Sequence, residues 1–385
     1  MYNRRCIFLS FAVLIVLSIG SYSSSKSQDL PLLFLKGINS PSAIGMGGCV
    51  VNNVDETSSL YNPAAFGLLS LDNIFSFSFP HKNRIYSFAD DMTLNTFSIG
   101  GGYSLIPVSL LGMHNPKIAF GLSFSVQKLG YGKITITDSQ GNILGSEDPY
   151  DRADIFSLST AIDYYLRVGL GFNYKKLKSK LIVYGAGAEP YEVATGSAID
   201  YGIIFELPIM KFIPHTISFG DSEKYYLNFD LTPSLAYVKA NIGDDMNYID
   251  VAQADPLPRI SRTGISLYAA INSGKANVVS ARSCRQTEKN LVGNSKNKVK
   301  SNGYEIGFLG CFYLRRGESD TDSDNPLKAK GYGIRLGGLI KWLQMQGLNF
   351  GDGIPGYIAN NIDITYDFAE YSEIEREYVK INLSI

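Results

Sequence analysis

Histidine is nearly missing from this chain. His81, His114 and His215 are the only three in 385 residues. Each lies within two residues of a proline, and none has a partner at metal-ligand spacing or forms a readable Ser-His-Asp arrangement. Cysteine is as scarce: Cys6, Cys49, Cys284 and Cys311 show no zinc-type spacing. Charge is thin as well, at 18% of residues against roughly 25% in soluble domains. With a net charge of -1 and a pI near 6.3, there is no basic surface to hold nucleic acid. No segment approaches 18 uninterrupted apolar residues, which excludes helical membrane spans. These absences remove the metalloenzyme, cofactor-enzyme and nucleic-acid classes; the expectation is a non-enzyme without cofactor or metal.

What is present has a different character. Glycine reaches 38 residues, tyrosine 25 and phenylalanine 21, beside a single tryptophan. Low charge with many glycines and aromatics suits a β-barrel, whose strands bend at glycine and carry aromatics at the membrane interfaces. The N-terminus supplies a route to a membrane. Arg4 and Arg5 precede an apolar core at Ile7 to Ile19, and Ser23-x-Ser25 or Ser25-x-Ser27 offers a small-residue cleavage site. That is the layout of a secretory signal peptide over residues 1–27, too short in its apolar part for a spanning helix. Cleavage would remove Cys6 and leave an odd three cysteines, so at most one internal pair can form. Cys49 and Cys311 read as small buried residues.

Alternation is the strongest physical signal. Ile118, Phe120, Leu122, Phe124 and Val126 share one face of Lys117–Gln127, with Ala119, Gly121, Ser123, Ser125 and Gln127 on the other. The same period of two runs through Leu166–Lys175, Tyr304–Arg315, Gly331–Trp342 and Asn361–Phe368. Weaker segments follow the scheme near residues 73–79, 94–103, 154–164, 198–205, 225–237 and 260–271. The chain closes on the alternating run Val379, Ile381, Leu383, Ile385. Residues 84–88 and 133–137 are further candidates. Clear strands of about ten residues match a tilted bilayer crossing, where sandwich strands average about 5–6. The expected fold is all-β: a transmembrane antiparallel barrel of about fourteen strands over residues 71–385, behind a short plug-like segment at residues 28–70. The stretches Lys275–Asn302, rich in lysine and arginine, and Arg315–Lys330 read as long polar loops, and Phe350–Ile358 as a glycine-rich loop. Asp320, Asp322 and Asp324 imitate the start of a calcium loop, but Asn325-Pro326 replaces the required glycine, leaving a solvated acidic turn.

Two dispersed motifs stand out. Gly45-Met46-Gly47-Gly48 is followed by Asn62-Pro63-Ala64, a glycine-rich turn and then a proline-directed turn or extended exit ahead of the first strand. Asn241, Gly243, Tyr248, Asp250, Pro258 and Arg259 punctuate a long connection before Ile260, continued by Arg262 and Gly264. Both motifs resemble the FadL-like outer-membrane proteins, most closely the PorV/PorQ branch, and the resemblance covers nearly the whole chain after the leader. The last strand is similar to the C-terminal strand of such barrels, with Ile385 where phenylalanine is usual. The resemblance implies the outer membrane of a Gram-negative-type bacterium, with its lipid as one partner. It implies a PorV-like accessory role in type IX secretion, with secreted cargo and other secretion components as partners. The alternative it implies is FadL-like transport of long-chain fatty acids or other hydrophobic small molecules through a plugged barrel with a lateral opening.

Overall fold

The computed structural model describes residues 32–82, 84–86, 89–105, 116–138, 140–182, 191–213, 216–218, 226–248, 254–274, 276–292, 298–320, 326–348, 351, 353–371 and 374–384. The expected leader, His114, His215, Asp250, Asp322, Asp324 and Ile385 lie outside these residues. Fourteen strands form the wall: β1 (Ile74–Lys82), β2 (Ala89–Leu105), β3 (Lys117–Gly130), β4 (Tyr150–Asp163), β5 (Arg167–Ile182), β6 (Tyr191–Glu206) and β7 (Tyr226–Gly243). The circuit continues with β8 (Ile260–Ser273), β9 (Ala276–Asn290), β10 (Lys298–Phe308), β11 (Phe312–Asp320), β12 (Leu327–Arg335), β13 (Ile362–Tyr371) and β14 (Ile374–Ser384). Every neighbour pair is antiparallel, and β1 closes the barrel by pairing with both β14 and β2. Closure pairs the strands around the circuit and leaves no free edge strand, which is why strands can stand in lipid at all.

The two faces divide as the alternation requires. On β3, Phe120 and Leu122 point outward and are more than half exposed, while Ala119, Gly121 and Ser125 are buried inside. Tyr103, Leu158, Leu170, Ile265, Leu314 and Tyr332 extend the same apolar belt around the outside. A belt of large apolar side chains on a closed barrel is the lipid-facing surface of an outer-membrane protein. No described helix is long and apolar enough to cross a membrane. The wall has a turn end, with Ile74, Ser384 and the tight turn at Gly274, and a loop end, with Tyr131–Pro149 and the connection after Gly243.

Several segments depart from the sequence reading for physical reasons. Tyr304–Arg315 is two strands rather than one, because Leu309 and Gly310 turn at positive φ between β10 and β11. The basic stretch Lys275–Asn302 is mostly β9 and β10 rather than loop. Its outward face carries Ser283, Arg285, Thr287 and Lys289, so alternation of apolar residues never appears, yet ladders on both sides hold it. Likewise β11 and β12 reduce the Arg315–Lys330 loop to its middle. Gly331–Trp342 leaves the wall at Arg335, and Trp342 sits in helix α3 (Leu336–Met345) instead of ending a strand. Phe350–Ile358, read as loop, runs into helix α4 (Ile354–Asn361). Arg84–Tyr86 is a short strand of the same sheet that pairs with β2 beyond the end of β1, whereas Ile134–Thr137 lies outside the wall and pairs with Ile143–Glu147 as a hairpin at the loop end.

Candidate functional site

The segment from Leu32 to Asp72 fills the barrel as a plug. Two short helices brace it: α1 (Pro41–Gly45) packs on β11 to β13, and α2 (Ala64–Leu69) packs on β3 to β6 across the lumen. Backbone contact is possible because the inner wall is lined with glycine where the plug touches. A Cβ on Gly317 would lie 2.2 Å from Gly47 N and Met46 C, and one on Gly171 would lie 2.2 Å from the carbonyl carbon of Pro63. From the plug side, Gly47 holds φ at 68° and would place a Cβ 2.4 Å from Glu318 N. Gly47, with Gly48 at φ 86°, therefore turns the chain after α1 directly against the wall, as only glycine can. Gly45 and Met46 are buried in the same turn.

Asn62-Pro63-Ala64 starts a helix rather than an extended exit. The Asn62 side-chain Oδ1 accepts the Ala64 N–H at 3.2 Å, and its side-chain amide donates to Val51 O at 2.8 Å. Pro63 precedes α2, where its missing N–H costs nothing. The chain reaches β1 only after α2, a further turn at Ser70–Asp72 and Asn73 at positive φ.

Charge ties the plug to β13 and β14. Lys380 Nζ lies 3.2 Å from Asp55, 3.5 Å from Glu56 and 3.1 Å from Asp367. Arg315 bridges Asp367 and Glu305, each at 2.6 Å. Asp55 also accepts from Ser42 Oγ, Asn53 Nδ2, Ser58 Oγ and both the N–H and hydroxyl of Thr57. Burial works to raise the Asp55 pKa, but the Lys380 ammonium and these hydroxyls hold it well below the usual carboxylate range. At the loop end Arg262 and Lys36 share Glu288, so a second plug-to-wall pairing stands at that side.

The connection motif is a strap. Asn241, at φ 60°, accepts from Lys175 Nζ at 2.7 Å and donates to Pro258 O at 3.0 Å. Arg259 donates to Gly243 O and to Asp245. Met246 and Asp255 bridge across the loop. These ties press Met246, Leu257 and Tyr248 onto an apolar cluster beneath the loop end, which includes Leu32, Phe34 and Leu35 of the plug and Leu94 and Leu129 of the wall. Below the plug, toward the turn end, lies a polar cavity of about 540 Å³ faced by Asp72, Asp163, Arg167, Glu206, Arg282 and Arg335.

Sequence reasoning missed the wall's weakest place. Strands β1 and β2 pair at four positions only, Phe75 to Ser78 against Gly101 to Ser98. Beyond them, among the described residues, no ladder joins 79–82 of β1 to 94–97 of β2, and pairing to β2 resumes with Arg84 against Thr93, so the lapse is a short window. The apolar cluster reaches this seam through Leu94, and plug residue Asn39 donates to Thr96 at 2.9 Å behind it. Ser78 Oγ and Asn39 Oδ1 are buried beside the seam without a hydrogen-bond partner among the described residues. The sequence did carry a signal: Pro80, which has no N–H to give a ladder, stands in the lapse, and the alternation of β1 stops at Phe79.

No family model matches the chain, and no curated protein matches it. Among solved structures, the Ralstonia pickettii toluene transporter TbuX is similar at TM-score 0.42 and 13% identity, over 91% of this chain and 98% of that one. The P. putida toluene transporter TodX is similar at TM-score 0.38 and 12% identity, over 91% and 99%. The β domain of the Bordetella autotransporter BrkA is similar at TM-score 0.38 and 8% identity, over 81% and 99%.

Proposed function

We propose that this chain is an outer-membrane barrel of a Gram-negative-type bacterium that passes hydrophobic small molecules, without chemistry of its own. A solute leaves the apolar cluster under the loop-end strap and moves sideways through the β1–β2 seam into the bilayer. The observation that carries the reading is the lapse of the β1–β2 ladder beside Leu94, behind which apolar plug and wall residues are packed. Ser78 and Asn39 offer polar anchors there for the head of an amphiphile such as a fatty acid. The charged cavity on the turn side suits water and not such a solute, which favours a lateral path over one straight through the barrel. Of the motif residues, Gly45 to Gly48 dock the plug and Asn241, Gly243, Pro258 and Arg259 tie the loop, so these lend no support to cargo recognition.

The test replaces Leu94→Asn in the full chain. A polar group placed in the apolar path without a partner costs about 2 kcal/mol, roughly thirtyfold in partitioning. Uptake of a labelled long-chain fatty acid or a monoaromatic hydrocarbon should fall by that order, while the heat-modifiable folded band persists. Deleting the chain should slow uptake and leave surface proteins with C-terminal sorting signals in place. Unchanged uptake, with such cargo stranded in the periplasm, would replace this reading with the secretion one.

A further inference from the structure

Only three cysteines remain outside the leader, and two of them, far apart in sequence, meet inside the barrel. Cys49 follows Gly48 in the plug and Cys284 faces inward from β9; with Met46 they form one buried cluster, and they border the same small cavity. The register around them is fixed on both sides. Gln286, the next inward residue on β9, accepts from the N–H groups of Val50 and Val51 at 3.0 and 2.9 Å. Its amide donates to Gly48 O at 3.2 Å, so one glutamine clamps the backbone on either side of Cys49. On the neighbouring strand, Gly303 pairs with Cys284 and would put a Cβ 2.3 Å from Met46 O and 2.9 Å from Cys284 Sγ. Glycine there leaves Cys284 room to turn toward the plug. Cys311 is buried elsewhere, at the turn between β10 and β11.

We propose that Cys49 and Cys284 are joined as a disulfide in the mature protein, a covalent bolt between plug and wall. The proposal rests on the outer-membrane address given above, because that route passes through an oxidising compartment. Two thiols lose two protons and two electrons to form the S–S bond. The acceptor is the disulfide of an oxidoreductase, which is reduced to a dithiol by exchange. Contact with Cys284 and burial push the Cys49 thiol up, away from the reactive thiolate, so the exchange belongs before the plug is sealed in the barrel. Once made, the bond holds Gly48–Val50 against β9. The plug then cannot leave, and solute must pass on its other side, along β1 and β2.

The experiment counts thiols in the full-length protein made in its own outer membrane, trapped with N-ethylmaleimide at lysis and denatured before mass measurement. One adduct is expected before reduction and three after it. The Cys311→Ser variant should give none before and two after. A linked peptide pair containing Cys49 and Cys284 completes the assignment. More than one adduct before reduction, or any link that uses Cys311, overturns the proposal. Fractionation read on the same preparation separates the two ideas: protein in the outer membrane with three free thiols ends the bolt and leaves transport standing, whereas protein absent from that membrane ends the transport reading.

Discussion

Replacing Lys380 by methionine tests whether charge holds the plug. The substitution keeps the stem's volume and removes the ammonium that faces Asp55, Glu56 and Asp367. Asp367 keeps Arg315 at 2.6 Å, and Glu56 keeps Asn382, so Asp55 is the group left without a cation. Removing one partner of a buried pair costs about 3–5 kcal/mol. The hydroxyl and amide donors that remain around Asp55 place the loss near the lower limit, about 3 kcal/mol, or roughly a 150-fold shift toward the undocked plug. The pH dependence has opposite signs in the two proteins. In the wild type the folded Asp55 pKa lies below its unfolded value. Its contribution is therefore complete above about pH 4 and drains away as pH falls further, toward the folded value. In the variant burial acts on Asp55 without an opposing cation, so acid protonates the stray carboxylate and relieves the defect. Single-barrel conductance in planar bilayers, titrated with urea at neutral pH and near pH 4.5, reads plug release directly. The Lys380→Met protein should release at lower urea at neutral pH and recover part of the gap in acid, and adding Asp55→Asn should restore most of it. A variant that matches the wild type at neutral pH, or that worsens in acid, refutes the electrostatic account.

Two further substitutions probe the same docking through packing. Gly317→Val drives a side chain into the backbone at Met46–Gly47 and should loosen the plug by about 1–3 kcal/mol, seen as a lower urea midpoint for release with the barrel still heat-modifiable. Asn62→Ala removes the start of α2 and the bond to Val51 O, a loss of about 1–2 kcal/mol. Faster amide exchange near Val51 and Ala64, measured by mass spectrometry, is the expected sign; Asn62→Asp should keep the Ala64 contact and lose only part of the protection.

The barrel was legible wherever lipid dictates the outer face. Phe120, Leu122 and Leu170 had to alternate with small or polar residues, and they announce their strands from sequence. Ala276–Asn290 did not, because most of its outward residues are polar while the inward face holds Arg282, Cys284, Gln286 and Glu288. Ladder pairing and plug contacts keep that strand in place, and neither leaves a local pattern. The glycine turn at Gly45–Gly48 was readable as a turn, yet its purpose depends on Gly317 and Glu318, which only the fold brings near. The strap was visible as punctuation in Asn241, Pro258 and Arg259, but its use as a cover over Met246 and Leu257 was not. Trp342 misled because an apolar period of two can run on into the first turns of a helix.

The ion cluster joins residues 325 positions apart, so a contact distant in sequence locks the stopper to the wall. Without β14 in place, Asp55 and Glu56 lose the ammonium that faces them. Strand β14 therefore has two duties: its ladder seals the cylinder against β1, and its lysine answers the stopper's negative charge. A barrel whose β14 fails to zip thus also fails to seat its stopper and stays open to proteolysis.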